Sequence, residues 1–177
     1  ETIGVEALIR WQHPERGLLS PAVFLPVIEE HPLAVEVGEW VIEAALLQLE
    51  AWRAIGLDIP ISVNVGARQL QQADFIERLR TRLAAHPSFH PGALEMEVLE
   101  TSALEDLARV SQVIEACREI GIGFALDDFG TGSSNLQWLT EVFYDEIKLL
   151  KSKVLIHLYY FHLNINRHPI IIHALYD

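Results

Sequence analysis

The sequence predicts an α/β fold with a parallel sheet, most consistent with a TIM-like (β/α) barrel. Short apolar runs rich in β-branched residues alternate with longer segments that carry apolar residues at helical spacing. Strands that alternate with helices form parallel sheets. Periodicity alone does not decide whether the sheet is open or closed. Polar residues at several successive strand ends favour a barrel, because a barrel gathers such ends on one face.

Five segments have the composition of strands, being rich in β-branched residues and bounded by Gly or Pro. They are residues 3–9, 59–65, 94–99, 122–126 and 144–149.

Helices are predicted between these strands. Residues 34–55 carry apolar side chains at helical spacing, and a glycine follows them. An earlier helix is expected to begin at Ser20, with Pro21 in its first turn. Ser102 and Glu105 have the spacing of a capping box and predict the start of a third helix, which buries Cys117.

Composition predicts one globular domain over residues 1–177. The net charge of −12 argues against a DNA or RNA polymer, or an anionic membrane surface, as the main partner. Cys117 is the only cysteine and is interpreted as plain packing, so a reducing compartment is expected. With no signal peptide in the first residues, we expect a cytoplasmic protein or the cytoplasmic part of a larger one.

Residues 151–177 differ in character from the rest of the chain and are interpreted as a divergent tail. Residues 154–176 are apolar, but Arg167, Pro169 and several histidines would be costly in lipid, so no membrane span is predicted. The spacing of the four histidines matches no common zinc pattern, so we expect them to be solvated or loosely packed. They are His157, His162, His168 and His173.

A polar residue near the end of each apolar run is the main functional signal. A carboxylate at the end of a buried strand is costly unless a cation or hydrogen bonds compensate, so several together predict a shared divalent-metal site. Oxygen ligands favour Mg²⁺ or Mn²⁺, and the absence of Cys and His argues against zinc. Taken singly, each residue could instead be a salt-bridged strand end, a turn former or a helix cap. The residues are Glu6, Asn64, Glu97, Asp127, Asp128 and Lys148.

Five strings of the sequence carry a family resemblance. They are GVEALIRWQHPERGLLSPAVFLPVIEE from Gly4, ISVNVGARQL from Ile61, LEMEVLE from Leu94, FALDDFGTGSSNL from Phe124 and YDEIK from Tyr144. In this order they resemble the motifs of the EAL domain family, bacterial phosphodiesterases that cleave cyclic di-GMP. The resemblance runs from about Gly4 to Lys148 and implies a TIM-like barrel of the EAL type, whose first strand is antiparallel.

The resemblance implies a role for each polar position. Lys148 matches the lysine that orients or deprotonates the attacking water, so Lys148 and Glu6 are the implied catalytic residues. Arg10 matches the arginine that contacts a ligand phosphate, and Glu100 matches the glutamate that anchors the loop 128–135. The implied product is linear pGpG. The implied ligands of two Mg²⁺ or Mn²⁺ ions are Glu6, Asn64, Glu97, Asp127 and Asp128.

The chain also departs from the family pattern. Leu150 stands where the family carries Asp, and Ser133 stands where it carries Tyr. The family's distal glutamate and glutamine motifs do not occur after Lys148, and its first strand would precede Glu1. We therefore expect an incomplete barrel that lacks the first and the last strands. The string IIIHAL from Ile170 weakly resembles the family's next helix.

Three functions are compatible with these observations. The predicted one is a metal-dependent cyclic di-GMP phosphodiesterase. The alternative is a catalytically inactive EAL domain that binds cyclic di-GMP or a partner protein as a sensor, which the missing distal glutamate favours. An unrelated metal-using barrel of the enolase type would not be expected to carry the EAL and DDFG strings. A homodimer and fusion to sensory or cyclase modules remain open.

Overall fold

The computed structural model describes residues 2–99, 107–127, 154–156 and 170–176, with side chains for 4–98 and 108–125. The positions of Glu100, Asp128 and Lys148 lie outside these residues, as do the predicted capping box and the predicted strand 144–149.

Strands and helices alternate as the sequence predicts. Four of the predicted strands fall within the described residues, and each is confirmed to within two residues at either end. The predicted helices over 34–55 and from Ser20 are also confirmed. The strands are β1 Thr2–Ile9, β2 Trp11–His13, β3 Gly17–Leu19, β4 Ile61–Asn64, β5 Leu94–Leu99, β6 Gly123–Asp127, β7 Val154–Ile156 and β8 Ile170–Tyr176. The helices are α1 Pro21–Ile28, α2 Leu33–Ala54, α3 Ala67–Leu70, α4 Phe75–Ala84 and α5 Leu107–Glu119.

The main sheet has the strand order β6-β5-β4-β1-β8-β7. The strands β1, β4, β5 and β6 are parallel neighbours, as in a (β/α) barrel, and helices connect them. Among the described residues the sheet is open. The hairpin of β2 and β3 forms a separate small sheet.

An antiparallel strand does lie beside β1, but it comes from the tail of the chain. The strand β8 pairs with β1 over nearly its whole length, on the side opposite β4. The weak similarity of residues 170–176 to a family helix is therefore misleading, because these residues form a strand. Three consecutive isoleucines favour the extended chain, because β-branched side chains fit a pleated surface.

The core lies between the parallel strands and the helices that cover them. Phe75, Met96 and Phe124 have no exposed surface, and the inner face of α2 is also buried. Cys117 is fully buried in α5, which confirms its interpretation as packing. Within the described residues, no helix has both the length and the apolar composition needed to cross a membrane.

Candidate functional site

The backbone places four of the predicted site residues on one face of the sheet. Glu6 is in register with the residue two places before Asn64, and Asn64 is in register with Glu97. Glu97 is in register with the residue two places before Asp127. Residues that are in register or two apart share a face, because side chains alternate along a strand. Between β1 and β4, and again between β5 and β6, the site position shifts by two residues towards the carboxyl end, which is the stagger that tilted barrel strands require.

Two of these side chains are in direct contact. The Nδ2 atom of Asn64 donates a hydrogen bond of 2.8 Å to Oε1 of Glu6. A carboxylate oxygen can only accept here, so the contact fixes which end of the amide faces Glu6. The amide oxygen of Asn64 is therefore the atom that can bind a cation.

Glu97 supplies a buried carboxylate to the same place, with only 6% of its surface exposed. Its backbone carbonyl accepts a 2.8 Å hydrogen bond from the N–H of Val65, which ties the end of β5 to the turn after Asn64. A carboxylate is stable at such depth only when a cation or hydrogen bonds compensate its charge.

The chemistry of these donors fits a hard divalent cation. Glu6, Glu97 and Asn64 offer carboxylate and amide oxygens, which Mg²⁺ and Mn²⁺ prefer. Within the described residues, no group of three or more His, Cys, Asp or Glu side chains is placed to hold a metal ion. Asp127 is described only as a strand position, and Asp128 lies outside the described residues.

A cavity of about 580 Å³ opens beside these residues, with Glu6, Asn64 and Glu97 in its lining. The helices α1, α2 and α3 supply much of the remaining wall. Its volume is in the range of small-molecule and cofactor sites. The sequence analysis did not single out two polar residues of this wall, Arg68 and Gln69. The available signal was their position in ISVNVGARQL, directly after the strand that ends in Asn64.

Arg10, the predicted phosphate contact, directly follows β1 and is half-buried. Its Nη1 atom donates a 2.9 Å hydrogen bond to the carbonyl oxygen of Ile9, which lines the cavity. Arg10 itself does not line the cavity. The structure thus places the guanidinium next to the site without showing a phosphate contact.

Behind the cavity, an ion-pair network joins α2 to α4. Arg82 donates to Oε2 of Glu39 at 2.9 Å and to Oε2 of Glu43 at 2.5 Å. The ring of His86 lies 3.2 Å from Oε1 of Glu43 and is almost fully buried. Burial alone would raise the pKa of Glu43, but the hydrogen bonds from Arg82 and His86 outweigh it and lower that pKa. The carboxylate of Glu43 therefore stays ionised.

Comparison with known proteins agrees with this architecture. The family model of the EAL domain matches residues 1–158. The chain is 40% identical over 148 residues to the bifunctional diguanylate cyclase/cyclic di-GMP phosphodiesterase MucR of Pseudomonas aeruginosa, covering 83% of this chain and 22% of that protein. It is 39% identical over 149 residues to a cyclic di-GMP phosphodiesterase of the same organism, covering 84% of this chain and 25% of the relative.

A solved structure of a similar domain has the same fold as this chain. A complex of the MucR phosphodiesterase with cyclic di-GMP superposes with a TM-score of 0.73 at 41% identity, covering 78% of this chain and 56% of that one. The fold belongs to the TIM-like α/β class. The chain belongs to the EAL domain family. It spans about a quarter of the length of the curated relatives described above.

Proposed function

We propose that this chain is a metal-dependent phosphodiesterase that hydrolyses cyclic di-GMP to linear pGpG in bacterial second-messenger signalling. The observation that carries the proposal is the convergence of Glu6, Asn64 and Glu97 at one cavity of an EAL domain. Two similar proteins are named for this activity, and a similar solved domain is described as a cyclic di-GMP complex. We further propose that residues 1–177 act as one cytoplasmic domain, with residues 151–177 as a divergent tail.

The proposed metal ligands are the oxygens of Glu6, Asn64 and Glu97, with Asp127 and Asp128 completing the set. When bound, two Mg²⁺ or Mn²⁺ ions lower the pKa of a coordinated water and neutralise charge on the phosphodiester. The contact between Asn64 and Glu6 has a separate task, which is to hold two ligands in a fixed relation before any ion binds. Such preorganisation lowers the cost of assembling the site.

The remaining roles concern the water and the substrate. Lys148 orients the attacking water as an ammonium, or removes its proton as the neutral amine that a lowered pKa would supply. Arg10 binds a substrate phosphate, because its guanidinium can offer two parallel donors to phosphate oxygens. Glu100 takes the role that the family resemblance implies, which is to anchor the loop 128–135.

The test is hydrolysis of cyclic di-GMP by the whole chain with Mn²⁺, followed by chromatography for pGpG. The Glu6→Gln variant removes one ligand charge while keeping the shape of the side chain. The matched control is Glu77→Gln, which makes the same charge change at an exposed position of α4. We expect pGpG from the wild type and the control, and none above background from Glu6→Gln.

Two other outcomes would contradict the proposal. Binding of cyclic di-GMP without turnover in the wild type would support the alternative of a catalytically inactive sensor. Equal turnover by Glu6→Gln and the wild type would remove Glu6 from the chemistry.

A further inference from the structure

Gln69 closes one wall of the cavity and is 2% exposed. Its Nε2 atom donates a 3.2 Å hydrogen bond to Oε1 of Glu39 in α2. Its amide also lies directly against Gly38, where a Cβ atom would collide with Oε1 of Gln69. A glycine at position 38 therefore creates the space that the amide occupies.

Only the donor end of the Gln69 amide makes a hydrogen bond within the described residues. Its Oε1 atom is buried and has no hydrogen-bond partner among the described residues. A buried acceptor without a partner lowers stability, and an apolar side chain of similar size would avoid that loss. The stabilisation that a glutamine provides at this position must therefore come from its Nε2 donor, which contacts Glu39.

Glu39 is itself held in place from the opposite side. Arg82 donates to its Oε2 atom at 2.9 Å, and Nη2 of Arg78 lies 3.6 Å from its Oε1 atom. Both arginines belong to α4, and the side chain of Glu39 is only 15% exposed. The acceptor that Gln69 contacts is thus a fixed point between two long helices.

The segment that Gln69 anchors is the one that carries Asn64. Only a short turn separates β4 from α3, and the backbone N–H groups of Gln69 and Leu70 donate to the carbonyl of Gly66 at 3.0 and 3.2 Å. On the other side of this turn, the N–H of Val65 is bonded to β5. These hydrogen bonds restrain the backbone between Asn64 and Gln69, so a displacement of Gln69 also displaces Asn64.

We propose that Gln69 is a positioning residue that, with Gly38 and Glu39, holds Asn64 in contact with Glu6. Gln69 does not touch the proposed metals and acts through Asn64. Its effect on metal binding rests on the proposed function. Its effect on the geometry of Asn64 does not, and the two can be measured separately.

The first measurement follows the side-chain amide signals of Asn64 by ¹H–¹⁵N NMR in the metal-free chain, assigned by their loss in Asn64→Asp. We expect Gln69→Met to shift them, because the contact with Glu39 is removed while the volume is kept. The matched control is Gln72→Met, since within the described residues the amide of Gln72 bonds locally, to the carbonyl of Arg68 at 3.0 Å. Unmoved Asn64 signals in folded Gln69→Met would overturn the proposal.

The second variant, Gly38→Ala, reaches the same amide from the other side and keeps Gln69 unchanged. It must shift the Asn64 signals too. If Gln69→Met does not fold, unmoved Asn64 signals in Gly38→Ala contradict the proposal equally.

The second measurement is the Kd for Mn²⁺, read from the EPR signal of the free ion. We expect Gln69→Met to bind Mn²⁺ about tenfold more weakly, the scale seen when a residue supporting a ligand is lost. In a Glu39→Leu background the same change should add little, because both substitutions break one contact. Unchanged affinity with a lower Tm would mean that Gln69 is merely structural. If the wild type binds no Mn²⁺, the proposed function fails, and the NMR result alone decides the positioning role.

Discussion

Gly121, in the turn before β6, can be tested against a glycine with the same backbone conformation. Its φ angle is +82°, and a Cβ atom there would lie 2.7 Å from Cβ and 2.8 Å from Cα of Pro91. Gly56 has a φ of +80°, but a Cβ atom there would meet nothing within 4 Å. Gly121→Ala and Gly56→Ala therefore carry the same backbone cost, and only Gly121→Ala adds a collision with backbone.

The magnitudes follow from these contacts. The left-handed conformation costs alanine about 1–2 kcal/mol, so Gly56→Ala should destabilise the chain by about 1 kcal/mol or slightly more. Overpacking adds about 1–3 kcal/mol, so Gly121→Ala should cost about 2–4 kcal/mol. The contact also matters for the site, because the N–H of Gly92 bonds to the carbonyl of Gly121 at 2.8 Å and so links the turns that precede β5 and β6.

The assay is urea unfolding followed by circular dichroism, with the m-value checked for each variant. A difference between the two variants of less than about 0.5 kcal/mol, within ordinary non-additivity, would refute the steric reasoning. An equal loss in both would show that the chain relaxes around Pro91 at no cost.

Two further predictions concern titratable groups. Burial raises the pKa of the Cys117 thiol to about 12. A thiol reagent should therefore modify Cys117 only after the chain unfolds, because the thiolate is the reactive form. Rapid modification of the native chain would contradict this prediction. The hydrogen bond to Asp58, with a second to the carbonyl of Pro91, raises the pKa of His90. Asp58→Asn should lower that pKa in an NMR titration, whereas Asp74→Asn should not. The stabilisation from this pair is lost as the pH rises through the folded-state pKa of His90, or falls through the lowered pKa of Asp58.

Much of the fold could be predicted because its elements have regular periodicity. The strand 94–99 was predicted with its observed bounds, and the spacing of apolar residues located α2. The hairpin of β2 and β3 was not predicted, because strands of three residues are too short to show a period. The pairing of β8 with β1 was also not predicted, since it joins the two ends of the chain.

The candidate site also has some features that the sequence predicts and others that it does not. The type and position of Glu6, Asn64 and Glu97 single them out in the sequence, and the structure brings Glu6 and Asn64 into contact. The relation between Gly38 and Gln69 could not be predicted, because it depends on how α3 docks on α2. A glycine within a helix and a glutamine after a strand have no special meaning until they meet.

The measurement that tests the account most directly is anomalous X-ray diffraction from crystals soaked in Mn²⁺. The account predicts a manganese peak coordinated by oxygens of Glu6, Asn64 and Glu97, in the lining of the cavity. The peak should be absent in crystals of Glu6→Gln. An ordered cavity without manganese, or a manganese peak that avoids all three residues, would contradict the proposed metal site.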